Sequence, residues 1–384
     1  RAGLLPQLGA SASAAAARQS LEDPAIRPFA SFPGFARDIE RFDVSLAASW
    51  EIDLFGAAPR SRAARASARA AAADLAAMRV AVAAETATAW IDILELQARQ
   101  ALAEERLDTL RRQRDALRLR AGAGTLARLD LDRFEAETEA AAAAPLILSA
   151  LATAQAERLG VLIADAAFAR ELAAQRHAFG GRGTMETLDT AAISLADRPD
   201  VVAAGHRLAA ADAGLAASRA QRLPRVQLGG VLATIAASPA ALFSAPALAR
   251  QAGAALSLPL FDFGRIDAAI ADAKGAQRGA LAAYRQTLLQ AAAEVEANAA
   301  LLAARRAEDE RQASAAAAAE RARTAAAITH DAGASDLTTL LDVERASIAA
   351  REGRVMAEAA SARALVALFR ATASTAAKEH AALR

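Results

Sequence analysis

The sequence predicts an α+β membrane protein that contains two tandem copies of one unit. Three observations predict this class: a two-faced strand that ends near Gly56, two long helical zones rich in Ala and Arg, and sequence anchors that recur about 210 residues apart. Each copy is expected to hold a strand pair, a long helix, a short tip and a returning helix, so one chain supplies four strands.

The clearest strand lies just before Gly56, in the stretch "DVSLAASWEIDL". Its large apolar residues share one parity, and its charged and hydroxyl side chains share the other. The apolar set is Val44, Leu46, Ala48, Trp50, Ile52 and Leu54. A period of two gives a strand two different faces, as a barrel strand between lipid and water requires.

The composition suits packed helices better than a globular core. Hydrophobic residues make up 54% of the chain, but Ala supplies most of them and aromatic residues only 4%, so few large side chains can fill a core. The net charge of +1 favours no particular partner, and the absence of Cys excludes disulfides, thiolate metal sites and Cys nucleophiles. Because no signal segment opens the sequence at Arg1, we expect an export signal to have been removed or omitted.

Two helical zones dominate the chain. The first is expected over about 57–121 with a partner from 125 into the 160s, and the second over about 265–331 with a partner over 336–372. A helix of that length spans roughly 100 Å at about 1.5 Å per residue. Each zone is interrupted once, by "AGAG" or by "AGAS", and Gly in these positions predicts the tip of a helical hairpin.

The anchors show a tandem duplication. "WEIDLFG" ends at Gly56 and "LPLFDFG" ends at Gly264, an offset of 208, while "AGAGTLARLDL" and "AGASDLTTLLD" are 211 residues apart. The predicted organisation is 1–56 strand pair of repeat 1, 57–178 helical hairpin, 179–222 linker and opening helix of repeat 2, 223–264 strand pair, and 265–384 helical hairpin with the C-terminal segment.

The duplication also predicts a missing segment. In repeat 2 the helical stretch Arg198–Arg222 precedes Leu223-Pro224, whereas only Arg1 to Leu4 precede Leu5-Pro6 in repeat 1. We therefore expect an N-terminal truncation that removes a helix of about 25 residues.

Residues 226–249 carry no charge, which by length alone would indicate a transmembrane helix. Gly229, Gly230, Pro239 and Pro246 favour two strands joined by a loop instead. Four strands cannot close a barrel, and each unpaired backbone group in lipid costs several kcal/mol. The sequence therefore predicts that several chains close the barrel together.

Four motifs in this order resemble those of the TolC-type outer-membrane efflux factors, in the RND-associated (OprM/NodT-like) branch. They are "SWEIDLFG" at 49–56, "RPDVVAAGHRLAAADAGLAASRAQRLPRVQL" at 198–228, "LPLFDFGRIDAAI" at 258–270 and "EVEANAAL" at 294–301. The resemblance covers nearly the whole chain and implies a trimer with a twelve-stranded β-barrel that continues into a long α-helical barrel. The chain departs from the family pattern at Gly205, where Glu is usual, and at its two ends.

The resemblance implies the passive exit duct of a tripartite efflux system, in the bacterial outer membrane and extending into the periplasm. Its partners would be two further copies of the chain, a periplasmic adaptor, an inner-membrane pump and outer-membrane lipid, without nucleic acid or cofactors. A type I secretion exit duct and a soluble coiled-coil scaffold protein are the alternatives.

No residue pattern indicates an enzyme. The four His are too scattered for a metal site, and Asp130 and Asp132 are expected to be solvated on a helix. Six Arg within 106–120 predict a solvated helix face or, alternatively, a basic collar that docks the adaptor.

Two groups of residues are candidates for contact with lipid or partners. Trp50, Phe55, Phe261 and Phe263 flank the strand-to-helix junctions, where they would form an interfacial aromatic girdle or pack against the helices. Gly122, Leu126, Gly333 and Leu337 mark the two tips, where the Leu side chains would dock the adaptor or pack within the hairpin.

Asp342 and Thr339 are the candidate gate residues. On a helical wheel that starts at Ser335 both lie opposite an apolar face made of Leu337, Leu340, Leu341 and Ile348. The resemblance places a pore-lining acidic residue at Asp342 and a second at the position of Thr339. Three Asp342 carboxylates at a constriction would favour cations, whereas an outward Asp342 would simply be solvated.

Overall fold

The computed structural model describes residues 5–125, 127–175 and 195–372. Its strands are β1 (Gln7–Arg18), β2 (Asp38–Ile52), β3 (Arg225–Ala236) and β4 (Leu248–Ser257), and its helices are α1 (Ala57–Gly122), α2 (Arg128–Ala141), α3 (Ala143–Ile163), α4 (Ala166–Ala174), α5 (Pro199–Ala220), α6 (Arg265–Asp331) and α7 (Leu337–Thr372). The chain divides into a strand unit (Arg1–Ala70 and Ala204–Tyr284) and a helical unit (Ala71–Ala203 and Arg285–Arg384).

The strand unit contains one antiparallel sheet in the order β1-β2-β3-β4. Its register aligns Leu46 of β2 with Ala10 of β1 and with Leu232 of β3, and Leu232 with Arg250 of β4. The uncharged stretch of residues 226–249 holds β3 after its first residue, Arg225, then a loop and the first two residues of β4. β4 continues through Arg250 to Ser257, so most of this strand lies beyond the uncharged stretch and the charge pattern does not indicate it.

The long helices follow the Ala-rich zones, but the returning part of repeat 1 is not one helix. It is divided into α2, α3 and α4. Pro145 lies in the first turn of α3, where it has no N–H to donate to the helix before it, so α2 ends at Ala141. Ala164 then ends α3 in the left-handed conformation.

Small residues allow close packing in the helical unit. Ala89 and Ile93 of α1 form a core cluster with Ala156 and Leu159 of α3 and Ala169 of α4. A Cβ atom at Gly160 would lie 2.8 Å from the Cα atom of Ala166, so only Gly lets α4 begin so close to α3. A second cluster joins α6 to α7 through Leu302, Ala364 and Leu368.

Candidate functional site

The sheet has two chemically different faces. Residues opposite each other in an antiparallel register lie on the same face, so the apolar parity of β2 continues across the sheet. This apolar face includes Leu8, Ala10, Ala12, Val44, Leu46, Ala48, Trp50, Ile52, Val226, Leu228, Leu232, Leu248, Ala252, Ala254 and Leu256. Arg250 interrupts it opposite Leu232, two residues from the start of β4.

The other face is polar and internally bonded. The hydroxyls of Ser11 and Ser45 are 2.8 Å apart, and Ser13 donates to Asp43 over 2.8 Å. Arg225 and Glu51 form an ion pair of 3.6 Å on the same face. These pairs satisfy polar groups between strands and leave the remaining side chains accessible to water.

Both edges of the sheet are open. Along the described ranges, with gaps at residues 1–4, 126, 176–194 and 373–384, no strand pairs with the outer edge of β1 or of β4. The main-chain N–H and C=O groups along these two edges are therefore available for another chain.

The strand-to-helix junctions are held by two Asp residues that the sequence analysis did not single out. Asp53 accepts a hydrogen bond from the backbone N–H of Gly56 at 2.6 Å and pairs with Arg60 at 2.6 Å. A Cβ atom on Gly56 would lie 2.2 Å from the Asp53 carboxylate, so a larger residue there would displace the side chain that caps the helix. The sequence signal was an Asp three residues before Gly at a helix start, the pattern of an N-terminal cap.

The second junction uses the same chemistry in a more open setting. Asp262 accepts hydrogen bonds from the backbone N–H groups of Gly264 at 3.2 Å and Ile266 at 2.8 Å. Phe263 and Gly264 both have positive φ angles, 53° and 83°. For Phe263 this is an uncommon conformation, and it leaves the side chain projecting from the turn.

The four predicted interface aromatics all lie at this end of the sheet. Trp50 is near the end of β2, and Phe55 follows it in the first junction. Phe261 and Phe263 contact each other edge to face, with ring centroids 4.7 Å apart. Their exposed fractions, 78% and 91%, are far above those of buried core aromatics.

The two helix tips share one backbone motif. At the first, the N–H of Thr125 donates to the carbonyl of Arg120 at 3.0 Å; at the second, the N–H of Ala334 donates to Thr329 at 2.8 Å. The residue before each donor, Gly124 or Gly333, has a positive φ angle. Gly122 is the last residue of α1, so Gly124 rather than Gly122 is the structural counterpart of Gly333.

Of the two tip leucines, Leu337 lies within the described residues. Leu126 lies outside the described residues. Leu337 is the first residue of α7 and is half-buried, so part of its side chain is accessible at the tip.

Thr339 completes the cap of α7. Its backbone N–H donates to the Asp336 carboxylate at 3.0 Å, and its hydroxyl donates to the same oxygen. The hydroxyl of Thr339, followed by its backbone N–H, lowers the pKa of Asp336. Thr339 is therefore occupied in a local helix cap.

Asp342 lies on the exposed face of α7 beside a cation. Its side chain is 67% exposed, and its carboxylate is 3.7 Å from the guanidinium of Arg345. Arg345 also pairs with Glu137 of α2 at 3.1 Å and lies over the ring of Phe134, 5.6 Å from its centroid. Within one protomer, the charge of Asp342 is thus partly balanced.

One helical stretch among the described residues, Arg128–Ile163, is long and apolar enough to cross a membrane, with a mean hydropathy of 1.4 over its 18-residue window. Length and composition alone do not distinguish a membrane span from a packed helix. In this stretch α2 and α3 are separate helices, and Ala156 and Leu159 pack against α1.

A sheet with one apolar face, open edges and attached long helices defines the class of outer-membrane channels. The outer-membrane channel OprN has this fold: the TM-score is 0.78 at 28% identity, over 97% of this chain and 82% of that chain. The CmeC outer membrane channel of Campylobacter jejuni, at 19% identity, also shares the fold, with a TM-score of 0.83 over 97% of this chain and 78% of that chain.

Two of the curated relatives are pyoverdine export proteins of the outer membrane. The pyoverdine export outer membrane protein OpmQ of Pseudomonas aeruginosa is 26% identical over 339 residues, which cover 87% of this chain and 70% of the relative. OpmQ of Pseudomonas putida is 34% identical over 180 residues, which cover 46% of this chain and only 37% of that relative.

The chain belongs to the outer membrane efflux protein family, whose model matches residues 1–189 and again residues 190–374. The predicted family, fold class and outer-membrane location are confirmed. Two consecutive matches to one family model accord with the internal duplication.

Proposed function

We propose that this chain is one of three protomers of an outer-membrane channel, the passive exit duct that an inner-membrane pump and a periplasmic adaptor recruit. Three chains would contribute twelve strands to one β-barrel, which continues into an α-helical barrel built from the long helices. The observation that carries the proposal is the four-stranded sheet, whose apolar face, interrupted by Arg250 near the start of β4, lies between two edges with which no strand of the described residues pairs.

Open strand edges disfavour a single chain in lipid. In lipid, each unpaired backbone group costs several kcal/mol, and both β1 and β4 expose such groups along ten or more residues. Pairing β4 of one protomer with β1 of the next satisfies both edges. The polar face, with Ser11, Asp43 and Glu51, would then line a water-filled lumen.

The test uses the absence of native Cys. Cysteines placed at Ala10, Ala12 or Ala14 of β1 and at Ala252 or Ala254 of β4 should form disulfides between protomers in at least one pairing and link three chains. Single-Cys variants are the control and should not link. Light scattering corrected for detergent should give three chains; a stable folded monomer, or a protein in the soluble fraction, would support the scaffold alternative.

Three further assignments belong to the same proposal. The tips with Gly122, Leu126, Gly333 and Leu337 would dock the adaptor. Leu337→Glu should then abolish export and spare trimer assembly, whereas lost assembly would show that Leu337 packs in the hairpin.

The aromatic girdle at the inner membrane interface would consist of Trp50, Phe55, Phe261 and Phe263. Substituting Phe263 with Ser should lower membrane retention, and an unchanged extraction profile would argue against the girdle.

At the proposed gate, the positive charge of Arg345 limits the cation preference that Asp342 would give. A ring of three Asp342 carboxylates would favour cations, but each Arg345 guanidinium would offset part of this negative charge and so reduce the cation preference. Asp342→Asn should reduce the cation preference of reconstituted channels, and Arg345→Gln should increase it. Unchanged ion selectivity in both variants would place Asp342 outside the gate.

A further inference from the structure

A groove lies at the end of the sheet where the strands meet the helices. It has a volume of about 520 Å³ and is lined by the last turns of α5, the Phe55 turn before α1 and Ile270 of α6. Its walls are mostly apolar, through Phe55, Leu223 and Ile270, while Arg219 and Arg222 supply the charge.

The two cations differ in their partners. Arg222 forms an ion pair with Asp267 at the start of α6. Arg219 is exposed, and no carboxylate of the described residues pairs with it. The position of Arg219 in the last turn of α5 suits the negative end of the helix dipole, but that does not account for an apolar groove beside it.

The chain around the groove is unusually free of negative charge. Residues 213–261 contain four Arg and no Asp or Glu. Three of these Arg, at positions 219, 222 and 225, fall within seven residues at the point where α5 leads into β3. Asp267 pairs with Arg222 and Glu51 pairs with Arg225, so Arg219 is the cation most available to an anion at this point.

The surroundings of the groove indicate lipid. Leu260, Phe261 and Phe263 on the neighbouring junction are each at least 78% exposed, and the apolar face of the sheet ends here at Ile52, Val226 and Leu256. Exposed aromatics next to an apolar strand face are typical of a membrane interface. Because the helices lead away toward the periplasm, this interface would belong to the phospholipid leaflet.

We propose that this groove binds an anionic phospholipid of the periplasmic leaflet, an inference that rests on the proposed membrane channel. Arg219 and Arg222 would donate to the phosphate, for which the guanidinium fork is well shaped. Phe55, Leu223 and Ile270 would contact the glycerol and the first acyl carbons. Free phosphate offers the same charge but nothing for these apolar walls.

The experiment measures lipid retention by the detergent-purified trimer, using native mass spectrometry with phosphatidylglycerol, phosphatidylcholine or inorganic phosphate as the probe. We expect preferential retention of phosphatidylglycerol. Arg219→Gln should weaken it about fivefold, the equivalent of about 1 kcal/mol for one cation near an anionic surface. Arg219→Lys should restore most of the binding.

Arg278→Gln is the matched control, because Arg278 is an exposed Arg of α6 in the same unit that does not line the groove. An equal loss in this control would mean that overall charge, rather than the groove, holds the lipid. Equal retention of phosphatidylcholine, or full displacement by inorganic phosphate, would also overturn the inference. If the trimer forms in membranes but shows no lipid preference, only this inference fails; a chain that does not assemble would contradict the channel itself.

Discussion

Helix α1 has two interfaces of opposite character in the helical unit. Toward α3 and α4 it buries Ala89 and Ile93 in an apolar cluster. Toward α7 its contacts include a row of ion pairs: Arg363 with Asp92 and Glu95, Arg99 with Glu352, and Arg351 with Glu105. The apolar interface lies within one predicted repeat, and the charged interface joins the two repeats.

The difference follows from the physics of the two kinds of contact. Apolar contact is non-directional and is not screened by salt, so it holds a hairpin together under most conditions. Ion pairs require specific geometry and are screened by salt when they are exposed to water. Each predicted repeat is thus held by its own core, while the contact between repeats depends on charge pairing.

The largest effect is expected in the apolar interface. Ile93 is fully buried, so Ile93→Ala removes its packing and leaves a cavity, at a cost of about 2–5 kcal/mol. Thermal unfolding of the purified trimer should show a much lower midpoint. Ile328→Ala is the matched control, because Ile328 is 64% exposed on α6; equal shifts for both variants would contradict the importance of this core.

A smaller, salt-dependent effect is expected in the charged interface. Glu95 is only 10% exposed and contacts both Arg363 and Arg99. Glu95→Gln keeps the shape and removes the charge, which should cost about 1–3 kcal/mol at low salt because two half-buried cations lose a partner. Asp108→Asn, at an exposed pair with Arg112 on the same helix, should have little effect.

High salt separates the two interfaces. The deficit of the Glu95 variant should shrink in 1 M NaCl, since the native ion pairs are then partly screened. The deficit of the Ile93 variant should not shrink. The same salt response in both variants would remove the distinction between the two interfaces.

Local sequence patterns predicted the elements that follow a local rule. The alternation from Val44 to Ile52 predicted β2, and the Ala-rich composition that ends before Gly333 predicted α6. They missed the division at Pro145. A Pro inside a helical pattern can either kink one helix or lie in the first turn of a new helix, and the local sequence does not distinguish these two outcomes.

The charged interface was beyond any local pattern. Arg363 and Glu95 are 268 residues apart, and each reads as an ordinary charge on a helix face. The Asp53 and Asp262 caps were within reach, since Asp precedes Gly at both helix starts. The groove beside Arg219 depends on three segments meeting in space, and only the structure brings them together.

Acid should weaken the contacts that Glu320 of α6 makes with Arg323 on the same helix and with Ser347 of α7, in a defined pH window. A hydrogen bond from Arg323 and another from the buried hydroxyl of Ser347 lower the pKa of Glu320 from 4.5 to about 2. A lowered folded-state pKa stabilises the protein above pH 4.5, and this contribution is lost as the pH falls toward 2. The unfolding midpoint of Glu320→Gln should therefore lie below that of the unsubstituted protein at pH 6, and the gap should close toward pH 2. A gap that does not change with pH would show that the carboxylate charge is not what stabilises this contact.

The smallest effect is expected at the exposed end of the charged interface, between Arg351 and Glu105. Their side chains are 37% and 43% exposed and lie 2.7 Å apart, so a double-mutant cycle with Ala should give a coupling of about 0.2–1 kcal/mol. The charge-swapped pair Arg351→Glu with Glu105→Arg should recover part of the loss seen in either single variant, because the attraction is restored in the opposite sense. A coupling larger than that of the more buried Arg363 and Glu95 pair would reverse the proposed order. It would show that burial does not govern the strength of the ion pairs in this interface.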